Sequence, residues 1–260
     1  MDYALPILIT VLAWWTSTVT VMYRAGLPRG TFVATLGGAT IALIAGVAAF
    51  LWSLDNATVY GAYAGFLAGL SIWAWHEVSY LFGFVTGPEP RACPPGVSSW
   101  QRFVRGVKTC VYHELAIVAT ALLLLWASWD SPNKVALFTF CILWLMRWSV
   151  KLNIFLGVRN LHAEYWPDHL EYLKSFVRHR RMNELFPWSM SLAVLSFLAL
   201  VLTAAGAGDD AATRSGAILL ASLLALAIVE HGLLVVNIDD GVLWRLGMRS
   251  RQGSGAPPAG

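Results

Sequence analysis

Histidine and glutamate stand side by side in the stretch SIWAWHEVSY (residues 71–80), as His76 and Glu77, inside a run otherwise apolar enough for a membrane helix. The pairing returns in YHEL as His113 and Glu114, and reversed in VEHG as Glu230 and His231. A fourth set, NLHAEYWPDHL, adds His162, Glu164 and His169. A titratable group at bilayer depth costs a few kcal/mol unless it is paired or hydrated, so such groups face a bundle interior and mark function by default. Imidazole with carboxylate suits three chemistries. One is ligation of iron, manganese or zinc by His76, Glu77, His113, Glu114, His162, Glu164, Glu230 and His231. The second is axial ligation of a tetrapyrrole, a haem or a bacteriochlorophyll, through His76, His113, His231 or His162. The third is purely structural: carboxylates paired with Arg147, Lys151 or Lys108, and histidines hydrogen-bonded between helices. Adjacent residues diverge by about 100° around a helix, unlike the one-faced Glu-x-x-His of di-metal bundles. At most one member of each pair can therefore ligate directly.

The elements that must position these residues follow from composition. The chain has 260 residues, 57% hydrophobic and 13% charged, about half the charge of a soluble domain. Its apolar residues fall into runs of about twenty, the length that crosses a bilayer. We expect an all-α, polytopic membrane protein, a single bundle over residues 1–240 with seven spans near 4–23, 31–53, 58–83, 103–128, 134–158, 187–206 and 214–237. The first run is too long for a signal peptide h-region and has no basic segment before it. Thirteen tryptophans suit interfacial belts, as at Trp14, Trp15, Trp126 and Trp129, or stacking on a flat ligand. The three cysteines, Cys93, Cys110 and Cys141, have no metal-ligand spacing and no disulfide pattern.

Placing the amino terminus outside sets every lysine and arginine on the inner side except Lys134 and Arg214, which fall outside, and Arg147, which lies within a span. The positive-inside rule thus predicts N-out and C-in. The net charge of +3 belongs to those loops and implies lipid, not nucleic acid, as the partner. At 1.5 Å per residue His76, His113 and Glu230 all lie about 20–25 Å from the outer ends of their spans. One shared polar site, open toward the cytoplasmic leaflet, is the expectation, with His162 and Glu164 closing it from below. Within 159–186, Leu170, Leu173, Phe176 and Val177 recur near helical spacing among Lys174, Arg178, Arg180 and Arg181, which suits either a helix on the inner membrane surface or a basic loop. His169 and His179 are expected at the surface. The tail 241–260, with its RQGSGAPPAG, is expected to be disordered.

WAWHEVSYLFGFVTGP, YHELAI, NLHAEYWPDHLEYLKSF and VEHGLLV together resemble the PuhE family, photosynthetic-complex assembly proteins of purple and related phototrophic bacteria. The likeness runs from about residue 60 to 240. It implies a multi-pass protein of the cytoplasmic membrane, or of its intracytoplasmic photosynthetic extension. It also implies association with reaction-centre or light-harvesting subunits or with pigment-biosynthesis proteins. It supplies no catalytic residue. Two readings follow: an assembly factor that handles bacteriochlorophyll or the subunit carrying it, and an integral-membrane metalloenzyme that modifies a tetrapyrrole or carotenoid.

Overall fold

A computed structural model describes residues 3–160 and 168–236. Among these described residues eight α-helices follow one another: α1 (Ala4–Ala25), α2 (Phe32–Leu54), α3 (Val59–Leu81), α4 (Ser99–Lys108), α5 (Val111–Ala127), α6 (Val135–Leu156), α7 (Leu185–Gly206) and α8 (Ala211–Leu233). A 3-10 segment, Asp168–Phe176, precedes α7. Among the described residues there is no strand, only an isolated bridge between Val158 and His179. The protein is an all-helical, multi-pass membrane protein. Among the described residues, five helical segments are long and apolar enough to cross a bilayer unaided, six if α4 and α5 count as one broken span.

The helix that falls short on apolarity, α3, is the centre of the bundle. It packs on α2, α6 and α8 and buries twelve of its 23 residues, so protein rather than lipid solvates its polar side chains. Its glycines make the close approach possible. A Cβ at Gly69 would stand 2.6 Å from the Ala136 carbonyl and 2.8 Å from Thr139 Cβ of α6. Small residues at such crossings allow the backbone-to-backbone packing that drives helix association in lipid. Above the site, Ile72, Trp73, Ile117, Leu124 and Phe140 close the core.

One expected span is two helices. The predicted 103–128 segment divides into α4 and α5, bent by 64° at Thr109 and Cys110. The physical reason lies in the preceding loop, which takes over the backbone groups freed by the break. The Glu89 amide donates to the Lys108 carbonyl at 3.2 Å, and the His113 amide donates to the Thr86 carbonyl at 3.0 Å. The bend also takes Arg102, Arg105 and Lys108 of α4 off the line of α5.

The described part of the segment read as either an interfacial helix or a basic loop packs partly against the protein. Leu170 and Phe176 are buried, and Phe176 lies beside Gly106 of α4. His169 is half-buried, not superficial: its Nε2 lies 2.6 Å from the Leu81 carbonyl at the end of α3. His179 is exposed, as expected. The expected disordered tail, 241–260, lies outside the described residues, as do His162 and Glu164.

Candidate functional site

Three helices meet at a buried cluster of polar side chains. His76 and Tyr80, one helical turn apart on α3, both turn toward α5; Glu77, about 100° round the helix, turns toward α6. His113, in the first turn of α5, is wholly buried. Its ring stacks on Tyr80, with centroids 4.6 Å apart and planes inclined by 24°, and meets His76 edge-on at 6.4 Å. His76 Nε2 shares a 3.0 Å hydrogen bond with the Thr120 hydroxyl.

Both carboxylates are answered by cations from one face of α6. Arg147 Nη2 is 2.9 Å from Glu77 Oε2. Lys151 Nζ donates to Glu114 Oε1 at 2.6 Å, and the Trp148 indole donates to Glu114 Oε2 at 2.5 Å. Lys151 also lies 4.9 Å over the Tyr80 ring, so one chain of contacts joins Glu114, Lys151, Tyr80, His113, Glu77 and Arg147. The opposite charges, four residues apart on α6, meet the cost of placing two carboxylates at this depth.

The opposite face of α6 serves a second polar set. Ser149 and Asn153 are displaced about 200° from Arg147 and Lys151, respectively. His231 Nδ1 lies 2.8 Å from the Ala227 carbonyl, and Nε2 lies 2.9 Å from the Ser149 hydroxyl. A proton on Nδ1 satisfies both contacts, with Ser149 donating to Nε2. Asn153 donates to Ser149 and to Ser189 of α7. Glu230, beside His231, faces the Trp14 indole of α1 and lies in the field of Arg147.

The expected site is therefore gathered in part. His76, Glu77, His113 and Glu114 come together between α3, α5 and α6; His231 belongs to the packing between α6 and α8; Glu230 looks toward α1. Among the described residues, no group of three or more histidine, cysteine, aspartate or glutamate side chains converges as a metal site. Tyr80, Thr120, Trp148 and Ser149 complete the two clusters and were not singled out by the sequence. The signal for Tyr80 was its place one turn after His76. Trp148 carried none, because a tryptophan near a span end is ordinarily a belt residue.

The first cluster holds most of the unused hydrogen-bonding capacity, with Asn153 Oδ1 the one such atom in the second. Among the described residues, both ring nitrogens of His113, Nδ1 of His76 and Oε1 of Glu77 are buried without a hydrogen-bond partner. Glu77 Oε1 stands 3.8 Å from His113 Nε2, too far for a hydrogen bond. Buried polar atoms are nearly always satisfied, and exceptions call for a bound water, an ion or a functional role. Imidazole nitrogens beside a carboxylate oxygen form a donor set that fits a ligand metal taking a single nitrogen. Tyr80 covers the face of His113 but not its edge, where the nitrogen lone pairs point.

Residues 1–254 match the family described as Protein of unknown function (DUF3623), and the chain belongs to that family. It is also similar to a Rhodobacter capsulatus protein described as "Uncharacterized 30.4 kDa protein in puhA 5'region". The two are 36% identical over 241 residues, which cover 91% of this chain and 88% of the relative. No solved structure matches.

Proposed function

We propose that this member of the DUF3623 family is an assembly factor for the photosynthetic reaction centre and its core antenna, seated in the cytoplasmic membrane or its photosynthetic extension. In this reading it handles bacteriochlorophyll, or the subunit that carries it, at His113 and His76. The place of the R. capsulatus relative, 5' of puhA, and the resemblance to the PuhE family support a role in photosynthesis. The observation that carries the site is His113, wholly buried in a membrane bundle with both nitrogens unpartnered. A bacteriochlorophyll, when bound, would supply a metal centre able to accept one imidazole nitrogen. The chain's own residues do the rest: Tyr80 fixes the His113 ring plane, Thr120 fixes His76, and Arg147 holds Glu77 beside the ring where its free oxygen can select the imidazole tautomer.

The metalloenzyme reading uses the same side chains for iron, manganese or zinc. Glu77 and Glu114 already face Arg147 and Lys151, whose charges oppose a cation at those carboxylates, and this favours pigment handling. The test is an absorption spectrum and an elemental analysis on one sample, purified in mild detergent from phototrophically grown cells, with complex yield measured in the same strains. We expect a chlorophyll-type spectrum that His113→Ala removes, and a fall in reaction-centre yield in the His76→Ala/His113→Ala strain. Near-stoichiometric metal without pigment would establish the metalloenzyme instead, and unchanged pigment and complex yield in the double variant would exclude the site.

A further inference from the structure

A second group of cations gathers around α4. Arg102 lies 4.5 Å over the Phe155 ring and reaches the Phe155 carbonyl at 3.5 Å, while its Nε is buried without a hydrogen-bond partner. Arg178 reaches the Ser99 hydroxyl at the start of α4, at 3.0 Å. Arg180 lays its side chain across Gly157. Both are near enough to Arg102 to repel it. Among the described residues no carboxylate forms an ion pair with any of the three, whereas Arg105 and Lys108, on the other flank of α4, share Glu89 at 3.7 and 3.0 Å. Three arginines thus pack around α4 and the end of α6 with no carboxylate paired to them among the described residues, and forked donors of this kind match phosphate oxygens.

The surroundings indicate the source of that phosphate. α4 runs at 64° to α5, so if α5 crosses the bilayer, α4 lies toward the plane of its surface. Trp100, 70% exposed and stacked on Phe103 at 5.6 Å, stands next to Ser99. An exposed tryptophan on a basic, surface-lying helix belongs at the headgroup boundary. We propose that Arg102, Arg178 and Arg180 seat the phosphate of an anionic lipid headgroup, with Trp100 resting in the interface beside it.

Native mass spectrometry of the full chain, released from detergent with added phosphatidylglycerol or phosphatidylcholine, tests the proposal. Each cation near an anionic lipid surface is worth enough that Arg178→Gln/Arg180→Gln should lower phosphatidylglycerol retention about thirtyfold. Arg178→Gln alone, which gives up one hydroxyl contact and so spares the fold, should lower it about fivefold. Arg105→Gln/Lys108→Gln should leave it nearly unchanged, and inorganic phosphate should not displace the lipid. Equal retention of the two lipids would overturn the proposal, as would equal losses in the two double variants, which indicate diffuse charge. So would displacement by inorganic phosphate, which indicates a soluble anion.

Discussion

At the scale of single residues, the Glu77–Arg147 pair decides whether the site holds its shape. Glu77 keeps only 14% of its side-chain surface exposed, while Arg147 keeps 36%. Removing one partner of a fully buried pair costs about 3–5 kcal/mol; the partial exposure of Arg147 lowers the expectation for Glu77→Gln to about 2 kcal/mol. Replacing both, as Glu77→Gln/Arg147→Met, should cost less than Glu77→Gln alone, because no unpaired guanidinium remains. Unfolding in mixed detergent micelles measures both, and a double variant weaker than the single would show that each side chain has independent partners. The sequence made the nearness of His76, Glu77, His113 and Glu114 legible and left their pairing open. Adjacent residues point about 100° apart, so the recurrence of histidine beside glutamate says that polar groups share a level without saying that they share a face. Only the packing of α6 divides them, sending Arg147 and Lys151 to the carboxylates and Ser149 to His231.

At the scale of elements, one side chain bridges the end of α6 and the start of α7. Asn183, buried between them, donates to the Asn153 and Gly157 carbonyls at 3.1 and 3.0 Å. Its Oδ1 accepts from the Leu185 and Phe186 amides at 2.9 and 3.1 Å, at the start of α7. Asn183→Ala strands groups on both helix ends, and we expect a loss of about 2–4 kcal/mol. Asn183→Asp keeps the acceptors for α7 but loses the donors for α6, so it should fall between alanine and the native residue; thermal unfolding in detergent ranks the three. Gly157 takes part in the same junction at φ 120°, a region that disfavours side chains, and Arg180 occupies the space a Cβ would need. The helices themselves were legible from apolar runs, with α7 and α8 beginning within a few residues of expectation. The junctions were not. An asparagine in a basic loop looks like any other, and the bend between α4 and α5 depends on Thr86 and Glu89, whose roles exist only once the loop crosses the break.

At the scale of the whole molecule, α3 is where composition and position part company. Taken alone it is less apolar than the five unaided candidates, yet it packs on α2, α6 and α8. A helix lined by protein need not match lipid along its length, because neighbouring helices give Trp75, His76 and Glu77 a polar partner each. We therefore predict that α3 crosses, giving seven spans, N-out and C-in, with the His113 cluster toward the cytoplasmic leaflet. Single cysteines decide this in a chain carrying Cys110→Ser and Cys141→Ser. The native Cys93 lies in the loop after α3, while Asp55→Cys and Asp209→Cys, tested with Cys93 replaced by serine, sit at exposed positions after α2 and α7. In intact spheroplasts a membrane-impermeant maleimide should label positions 55 and 209 and spare Cys93, which should react only after lysis. Labelling of 55 and 93 together would mean that α3 does not cross, and labelling of 93 alone would invert the protein. Inversion would also carry the cations around α4 to the outer face, against the lysine and arginine distribution that the positive-inside rule reads, so this one experiment bears on the orientation of both polar clusters and of the proposed lipid seat.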